Sequence, residues 1–402
     1  MSVHWWIREG LDYRDGELHL GQQNLADLVK SAGTPTFVYD ASRIAANLER
    51  IHTALDKYEV EHDIFFALKA NRYLPLVTFL KLMGRCGLDV CSPNEMRLGR
   101  QLGFHEEQIV YTNTSVSNED IEWLARHPRV HVNVDSLSTL RRLATRCPGR
   151  SIGLRINPQM GVAYHDHLAY SGDKITKFGI YEDRFNEALA LASGLGVPVN
   201  TLHFHMGSGY MTSDLAQFDQ VLLRIHQFVK QCPAVKTLDI GGGLGVPLRP
   251  DDEGLDLDQW ATVVARHARK MGVKIQLEPG DYLLKDVGVL LVEINTVEEK
   301  RGILFVGVNA GFNLQSSYAY YDMPYAFAPL RHDPAAPIVR LTIAGNINEA
   351  IDVFGEEIEM HRPVEGDYLA IVNAGGYGSS MSSNHCMRGE YNEYILFPDS
   401  LA

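Results

Sequence analysis

Short apolar runs rich in β-branched and aromatic residues recur at 64–69, 87–91, 108–112, 131–135, 151–156, 200–206, 236–240 and 274–278, and they read as strands. Between them lie longer stretches of helical character, such as "NEMRLGRQLGF" and "DLAQFDQVLLRIHQFVKQ". In the second, Phe218, Val221, Leu222, Ile225 and Phe228 recur at helical spacing. Eight strands alternating with helices predict a parallel α/β architecture. The count and the span of roughly 250 residues suit a (β/α)8 barrel. A doubly wound open sheet is the competing arrangement.

After residue 285 the pattern changes. "VGVLLVEINTV", "GILFVGVNAG", "IVRLTIAG" and "DYLAIVNAG" are strands with Gly or Asn turns and little helix between them. "ELHL" and "TFVYD", near the start, have the same character. The pattern predicts a barrel over 39–285 and a β domain formed by 1–38 with 286–402. A chain of 402 residues is long enough for two such cores.

Composition narrows the class without changing that picture. Apolar residues make up 45% and charged residues 22%, ordinary for a globular protein. The net charge of −13 argues against nucleic acid or an anionic membrane surface as partner. "MSVHWWIREG" lacks the basic-then-apolar order of a signal peptide, and no apolar run is long enough to span a bilayer. The five scattered cysteines suggest neither a zinc site nor a disulfide framework, so a cytoplasmic protein with reduced thiols and no bound metal is expected.

Candidate chemistry lies where barrels keep it, at the C-terminal strand ends. "IFFALKANR" is an apolar strand that stops at Lys69, a residue rarely buried without a partner. Later ends carry Asp89 in "GLDVCS", Arg155 in "LRINP", His205 and Ser208 in "HFHMGSG", Gly241 to Gly243 in "LDIGGGLG", and Glu278 and Gly280 in "LEPGD". Singly, each has a structural explanation: a histidine hydrogen-bonded in a core, a glycine turn, an aspartate capping a helix. Together on one rim they describe a site. Glycines admit a phosphate to backbone N–H groups, and Ser208 can donate to it. An imidazole can stack on a flat ring, a carboxylate can hold a pyridine nitrogen protonated, and an amine can form a Schiff base with an aldehyde. Pyridoxal 5′-phosphate asks for that set.

With these residues in view, the chain resembles the fold III pyridoxal-phosphate decarboxylases, and the diaminopimelate decarboxylase branch above all. "FFALKAN", "GLDVCSPNE", "VNVDSL", "LRINP", "KFGI", "HFHMGSG", "DIGGGLGV", "LEPG" and "NAGGYGSSMSSN" stand in that family's order. The resemblance implies a (β/α)8 TIM barrel of the alanine-racemase type plus a C-terminal β domain, and a homodimer with shared active sites. It implies Lys69 as the Schiff-base lysine, His205 stacked on the cofactor ring and Glu278 at the pyridine nitrogen. Ser208, Gly242, Gly243, Gly280 and Tyr377 match phosphate-binding positions, and Asp89 and Arg155 supporting ones.

The chain departs from the family pattern in three places. Where the family has a proton-delivering cysteine, "GNINEAIDVF" has Asn348, which cannot act as an acid at neutral pH. Glu349 keeps the following acidic position, which contacts the substrate amine. "EPGR" has become "EPGD", so Asp281 stands where a cation binds anions, and a cationic or hydrogen-bonding substrate group is expected there. The distal region, "NAGFNLQSSYAYYDMP", offers Tyr318 and Tyr321 but no arginine, which leaves Arg388 as a carboxylate partner. The expectation is a pyridoxal-phosphate-dependent amino-acid α-decarboxylase. Diaminopimelate leads as substrate, followed by an ornithine- or lysine-like amino acid of L or D configuration, or a specialised-pathway amino acid. A racemase and a non-catalytic family member are the alternatives. Glu278 counts against the racemase, because an arginine is expected at the ring nitrogen there, and the complete cofactor set counts against the non-catalytic protein.

Overall fold

The computed structural model describes residues 4–165, 168–172, 174–332 and 335–398. The first three residues of "MSVHWWIREG" lie outside that set. The chain starts with three antiparallel strands, β1 (Leu11–Arg14), β2 (Glu17–Leu20) and β3 (Gln23–Asn24), followed by a helix at Leu25–Ala32. Asn24 caps this helix, its side chain accepting from the amides of Ala26 and Asp27. Strand β4 (Thr36–Asp40) comes next.

Eight parallel strands then close into a barrel: β5 (His62–Ala67), β6 (Gly87–Val90), β7 (Ile109–Asn113), β8 (His131–Val134), β9 (Ile152–Arg155), β10 (Val199–His203), β11 (Thr237–Asp239) and β12 (Lys274–Leu277). The closed barrel excludes the open doubly wound sheet. Most residues of these strands are buried because one face fills the barrel and the other packs on the outer helices. The helix at Leu215–Gln231 shows how these helices dock. Phe218, Val221, Leu222, Ile225 and Phe228 are buried, whereas Leu223 on the other side is 39% exposed.

The remaining strands are β13 (Gly288–Lys300), β14 (Ile303–Val308), β15 (Phe327–Pro329), β16 (Ile338–Ala344), β17 (Val353–His361), β18 (Tyr368–Val372) and β19 (Asn392–Leu396). The long β13 joins two ladders. Its first half lies between β4 and β18, and its second half pairs with β14. Residues 36–40 therefore belong to this sheet, with β19 parallel on their other side. Alternation sorts the apolar residues. Val38, Val289, Leu291, Ala370 and Val372 face a small core under the N-terminal strands, and Phe37, Leu290, Val292, Leu369 and Ile371 face the main core.

One expectation changes. The strand that begins the barrel ends at Ala67, and Lys69 sits on a short 3-10 turn at Leu68–Ala70. This turn swings the lysine off the strand and into the barrel mouth. Loop 373–381 holds it there: the Tyr377 amide donates to Ala70 O (2.8 Å), the Ser380 hydroxyl donates to the same oxygen (3.0 Å), and Asn71 Nδ2 donates to Gly375 O (3.0 Å).

Candidate active site

A cavity of about 500 Å³ opens at the C-terminal end of the barrel, between the strand ends and the second sheet's loops. Lys69, Arg155, His205, Ser208, Gly242, Gly243, Glu278, Gly280, Asp281, Tyr321 and Tyr377 line it. Asp89 is fully buried just beneath, and Lys69 Nζ donates to its Oδ2 at 3.3 Å. The amine also lies 3.8 Å from Cys91 Sγ.

Glu278 forms the floor. Its Oε2 is 3.1 Å from His203 Nε2, and its Oε1 accepts from the Thr112 hydroxyl at 3.2 Å. Asn133 Nδ2 donates to that hydroxyl at 3.0 Å and orients it. Burial would push the Glu278 carboxyl up, but His203, Lys69 and Arg155 outweigh it and hold the group well below the ordinary carboxylate range. Its neighbours respond in the opposite sense. Burial and the Glu278 charge raise Asp239 well above its ordinary value and push Asp89 up to about 7. One carboxylate is thus kept ionised at the expense of two others.

His205 is neutral, because burial first and then the Arg155 and Lys69 charges lower it well below the usual imidazole range. The Tyr170 ring packs edge-on against it at 4.7 Å between centroids. Arg155 lies over the Phe178 ring, 4.7 Å from its centroid, which fixes the guanidinium in the wall. Lys69 is drawn down by burial and pushed up more strongly by Cys91, Asp89, Tyr377 and Glu278 around it, so it is held above the ordinary lysine range. Burial pushes the Cys91 thiol up to about 12, which keeps it protonated.

The opposite end of the cavity is built from glycine backbone. A Cβ on Gly242 would lie 2.4 Å from Glu278 O, and one on Gly243 2.2 Å from Gly207 O. Gly243 also has φ +95, a conformation that side chains rarely adopt. Ser208 Oγ is buried here without a hydrogen-bond partner. An unsatisfied buried hydroxyl beside close-packed glycines, a neutral imidazole, an ionised carboxylate and an amine fit the phosphate, ring, ring nitrogen and aldehyde of pyridoxal 5′-phosphate.

Five of the sequence candidates do not line this cavity: Asp89, which lies just beneath it, and Asn348, Glu349, Tyr318 and Arg388. Asn348 and Glu349 are exposed in the loop before β17, where Glu349 Oε1 meets His385 Nε2 at 3.3 Å. Arg388 is likewise exposed. The Tyr318 amide is tied to the Tyr325 hydroxyl, three positions from Tyr321, which does face the cavity. Asp281 lines the cavity as expected of its position, and Lys285 Nζ sits 3.1 Å from its Oδ1, the lysine side chain buried (6% exposed) and that of the aspartate largely so (13%), so its charge is already engaged within the chain.

The structure adds residues that the sequence reading missed. His203 could have been found, since the alternation in "HFH" puts His203 on the same side as His205. Thr112, Tyr170, Cys91 and Lys285 carried no such signal.

Comparison with known proteins agrees with this chemistry. Residues 41–285 match the family model for the pyridoxal-binding domain of the pyridoxal-dependent decarboxylases. Curated relatives named diaminopimelate decarboxylase include those of Methanothermobacter thermautotrophicus, 33% identical over 95% of this chain and 91% of its own, and Escherichia coli K12, 30% identical over 95% and 92%. Among solved structures, the diaminopimelate decarboxylase of M. jannaschii in complex with L-lysine superposes with a TM-score of 0.89 at 25% identity, covering 97% of this chain and 93% of that one. The chain therefore belongs to the pyridoxal-dependent decarboxylases, and it is a carboxy-lyase that works with pyridoxal 5′-phosphate.

Proposed function

We propose that this carboxy-lyase removes the α-carboxylate of diaminopimelate, with an ornithine- or lysine-like amino acid as the next substrate class. The observation that carries the reading is the pairing of the Lys69 amine with an ionised Glu278 in one cavity. Diaminopimelate leads because relatives bearing that name align over nearly the whole chain.

Pyridoxal 5′-phosphate, when bound, supplies an electron sink for the carbanion left by loss of carbon dioxide. The chain's own residues bind, orient and move protons around it. Lys69 would hold the cofactor aldehyde, and its contact with Asp89 keeps the amine at the cavity edge. Glu278, fixed by His203 and Thr112, would hold a proton on the ring nitrogen, which keeps the sink strong. His205 offers a flat neutral face, steadied by Tyr170. Ser208, Gly242, Gly243, Gly280 and Tyr377 would take the phosphate, and Arg155 would support the ring side. Asn348 has no acidic proton, so Lys69 Nζ, charged and inside the cavity, is the group that returns a proton to the α-carbon.

Tyr321 would meet the substrate on the open side. The exposed Asn348, Glu349 and Arg388 and the half-buried Tyr318 would serve the cavity of a second copy in a homodimer. All five cysteines are unpaired, as suits a cytoplasmic protein, and among the described residues no helix is long and apolar enough to cross a membrane.

The test is carbon dioxide release from a panel of L-, D- and meso-diamino acids by the holoenzyme. Preference for diaminopimelate is expected, and release from other substrates alone would reassign the specificity. Loss of the α-hydrogen without carbon dioxide would refute decarboxylation of the panel. Shared sites are tested by mixing Lys69→Ala with Glu349→Ala. Random re-pairing should restore about one quarter of the sites if they are shared and none if they are not.

A further inference from the structure

Lys285 is a buried lysine with no part in the chemistry described above. It follows the four-residue helix at Asp281–Leu284, and its spacing from Asp281 puts both side chains on one face, toward the cavity. The ammonium lies 3.1 Å from Asp281 Oδ1, yet that oxygen accepts no hydrogen bond, so charge rather than an aligned donor holds the pair. A desolvated ammonium with one poorly aligned counter-ion has unused capacity for an anion.

The surroundings identify the anion. The ammonium sits over the Tyr164 ring, 5.8 Å from its centroid. That ring fills the space where Gly209 would carry a Cβ, at 2.2 Å, and Gly209 directly follows Ser208 with its unpartnered hydroxyl. On the other side, Gly280 precedes Asp281 and packs against the Tyr377 hydroxyl, which would lie 2.8 Å from an added Cβ. Lys285 therefore stands at the serine–glycine end of the cavity.

We infer that Lys285 is the cationic contact for the phosphate of pyridoxal 5′-phosphate, and that Asp281 is the internal counter-ion that holds the ammonium in place and opposes the phosphate charge. This rests on the cofactor assignment. It also accounts for the aspartate in "EPGD": the cation has moved one helical turn along the chain, from position 281 to 285.

The two residues then act on phosphate binding in opposite directions. Cofactor-free full-length protein and its variants are titrated with pyridoxal 5′-phosphate and, in parallel, with pyridoxal, which lacks the phosphate. Visible absorbance gives Kd, and the phosphorus NMR shift reports the phosphate environment. Lys285→Met should weaken pyridoxal 5′-phosphate by about 10- to 100-fold, leave pyridoxal unchanged and move the phosphorus signal. Lys285→Arg should restore most of the affinity, and Asp281→Asn should bind the phosphate form more tightly than wild type. Equal weakening of both ligands, or an unchanged Kd for the phosphate form, overturns the inference. If both Lys285 variants fail to fold, Asp281→Asn decides alone, and weaker binding by that variant overturns it. A wild-type protein that captures no pyridoxal 5′-phosphate would refute the cofactor assignment itself, and that result is read before any variant is made.

Discussion

Replacing Asp89 by Asn should lower the pKa of Lys69 and shift cofactor capture to lower pH. Asn keeps the shape and removes the charge. In the wild type the Asp89 side chain is wholly buried and its Oδ2 lies 3.3 Å from Lys69 Nζ. Burial draws the lysine down, and the acidic groups around it push it up. Burial keeps the Cys91 thiol and the Tyr377 hydroxyl protonated, so Asp89 and Glu278 supply the negative charge. At 3.3 Å two unit charges attract by about 5 kcal/mol at an effective dielectric of about 20, and by about 1 kcal/mol in bulk water. The lysine side chain is 44% open to the cavity, so the interaction falls between these limits. At about 1.4 kcal/mol per pKa unit, losing the charge lowers the amine by about 1–3 units. Asp89, itself pushed up to about 7, already loosens its hold as it protonates below neutral pH. The neutral amine is the nucleophile, so the assay is the rate at which cofactor-free protein captures pyridoxal 5′-phosphate from pH 6 to 10. The rising limb of that profile should shift to lower pH by at least about one unit in Asp89→Asn. An unmoved rising limb together with a lower melting temperature would refute the electrostatic role and leave Asp89 a packing residue.

Three further outcomes follow from burial and close contact. His131 is lowered to about 4, chiefly by burial, so it folds neutral and contributes stability that is full above about pH 6.5 and lost as pH falls toward 4. That loss is about 3 kcal/mol, and His131→Gln, which can keep the bond to Asn133 Oδ1, should flatten it in denaturant unfolding measured across this window. Gly207→Ala would place a Cβ 1.6 Å from Val162 O at φ +139, displacing the loop that carries Ser208; cofactor affinity should drop at least tenfold, and an unchanged Kd would show that the loop is not part of the site. Asp286 accepts from Arg43 Nη2 at 2.6 Å and Asn47 Nδ2 at 2.8 Å inside the protein; Asp286→Ala should cost about 3–5 kcal/mol of unfolding free energy, and a loss under about 1 kcal/mol would contradict a buried, paired charge.

What was legible in the sequence was what strands position. A parallel barrel strand ends at a defined rim, so Arg155, His205 and Glu278, at or just past strand ends, could be assigned to one rim from local pattern alone. Lys69 was legible as an outlier, though the turn at Leu68–Ala70 that aims it was not, because that turn depends on loop 373–381 closing over it from more than 300 residues away. Tyr170 follows the same logic. It comes from the long connection between β9 and the helix at Glu182–Gly194, and only the folded loop brings its ring to His205. Thr112 looked like any β-branched strand residue until the barrel closed and put its hydroxyl on Glu278.

Asp281 shows why a departure from a family pattern should be read with the residues one helical turn away. Taken alone, an aspartate at a cation's position implies a changed ligand. The same-face neighbour reverses that conclusion: Lys285 neutralises Asp281 and returns a positive charge to the cavity wall, so the local charge sum, +1 and −1, is zero rather than −1. Asn348 has no such compensation: it is exposed outside the cavity, and the Cys91 thiol beside Lys69 is held protonated by burial, its pKa pushed up to about 12. The two departures therefore differ in kind. The aspartate at position 281 is balanced within the fold by Lys285, whereas position 348 offers no acid, so under the proposed return of a proton by Lys69 the Asp89→Asn pH profile also reports on that step.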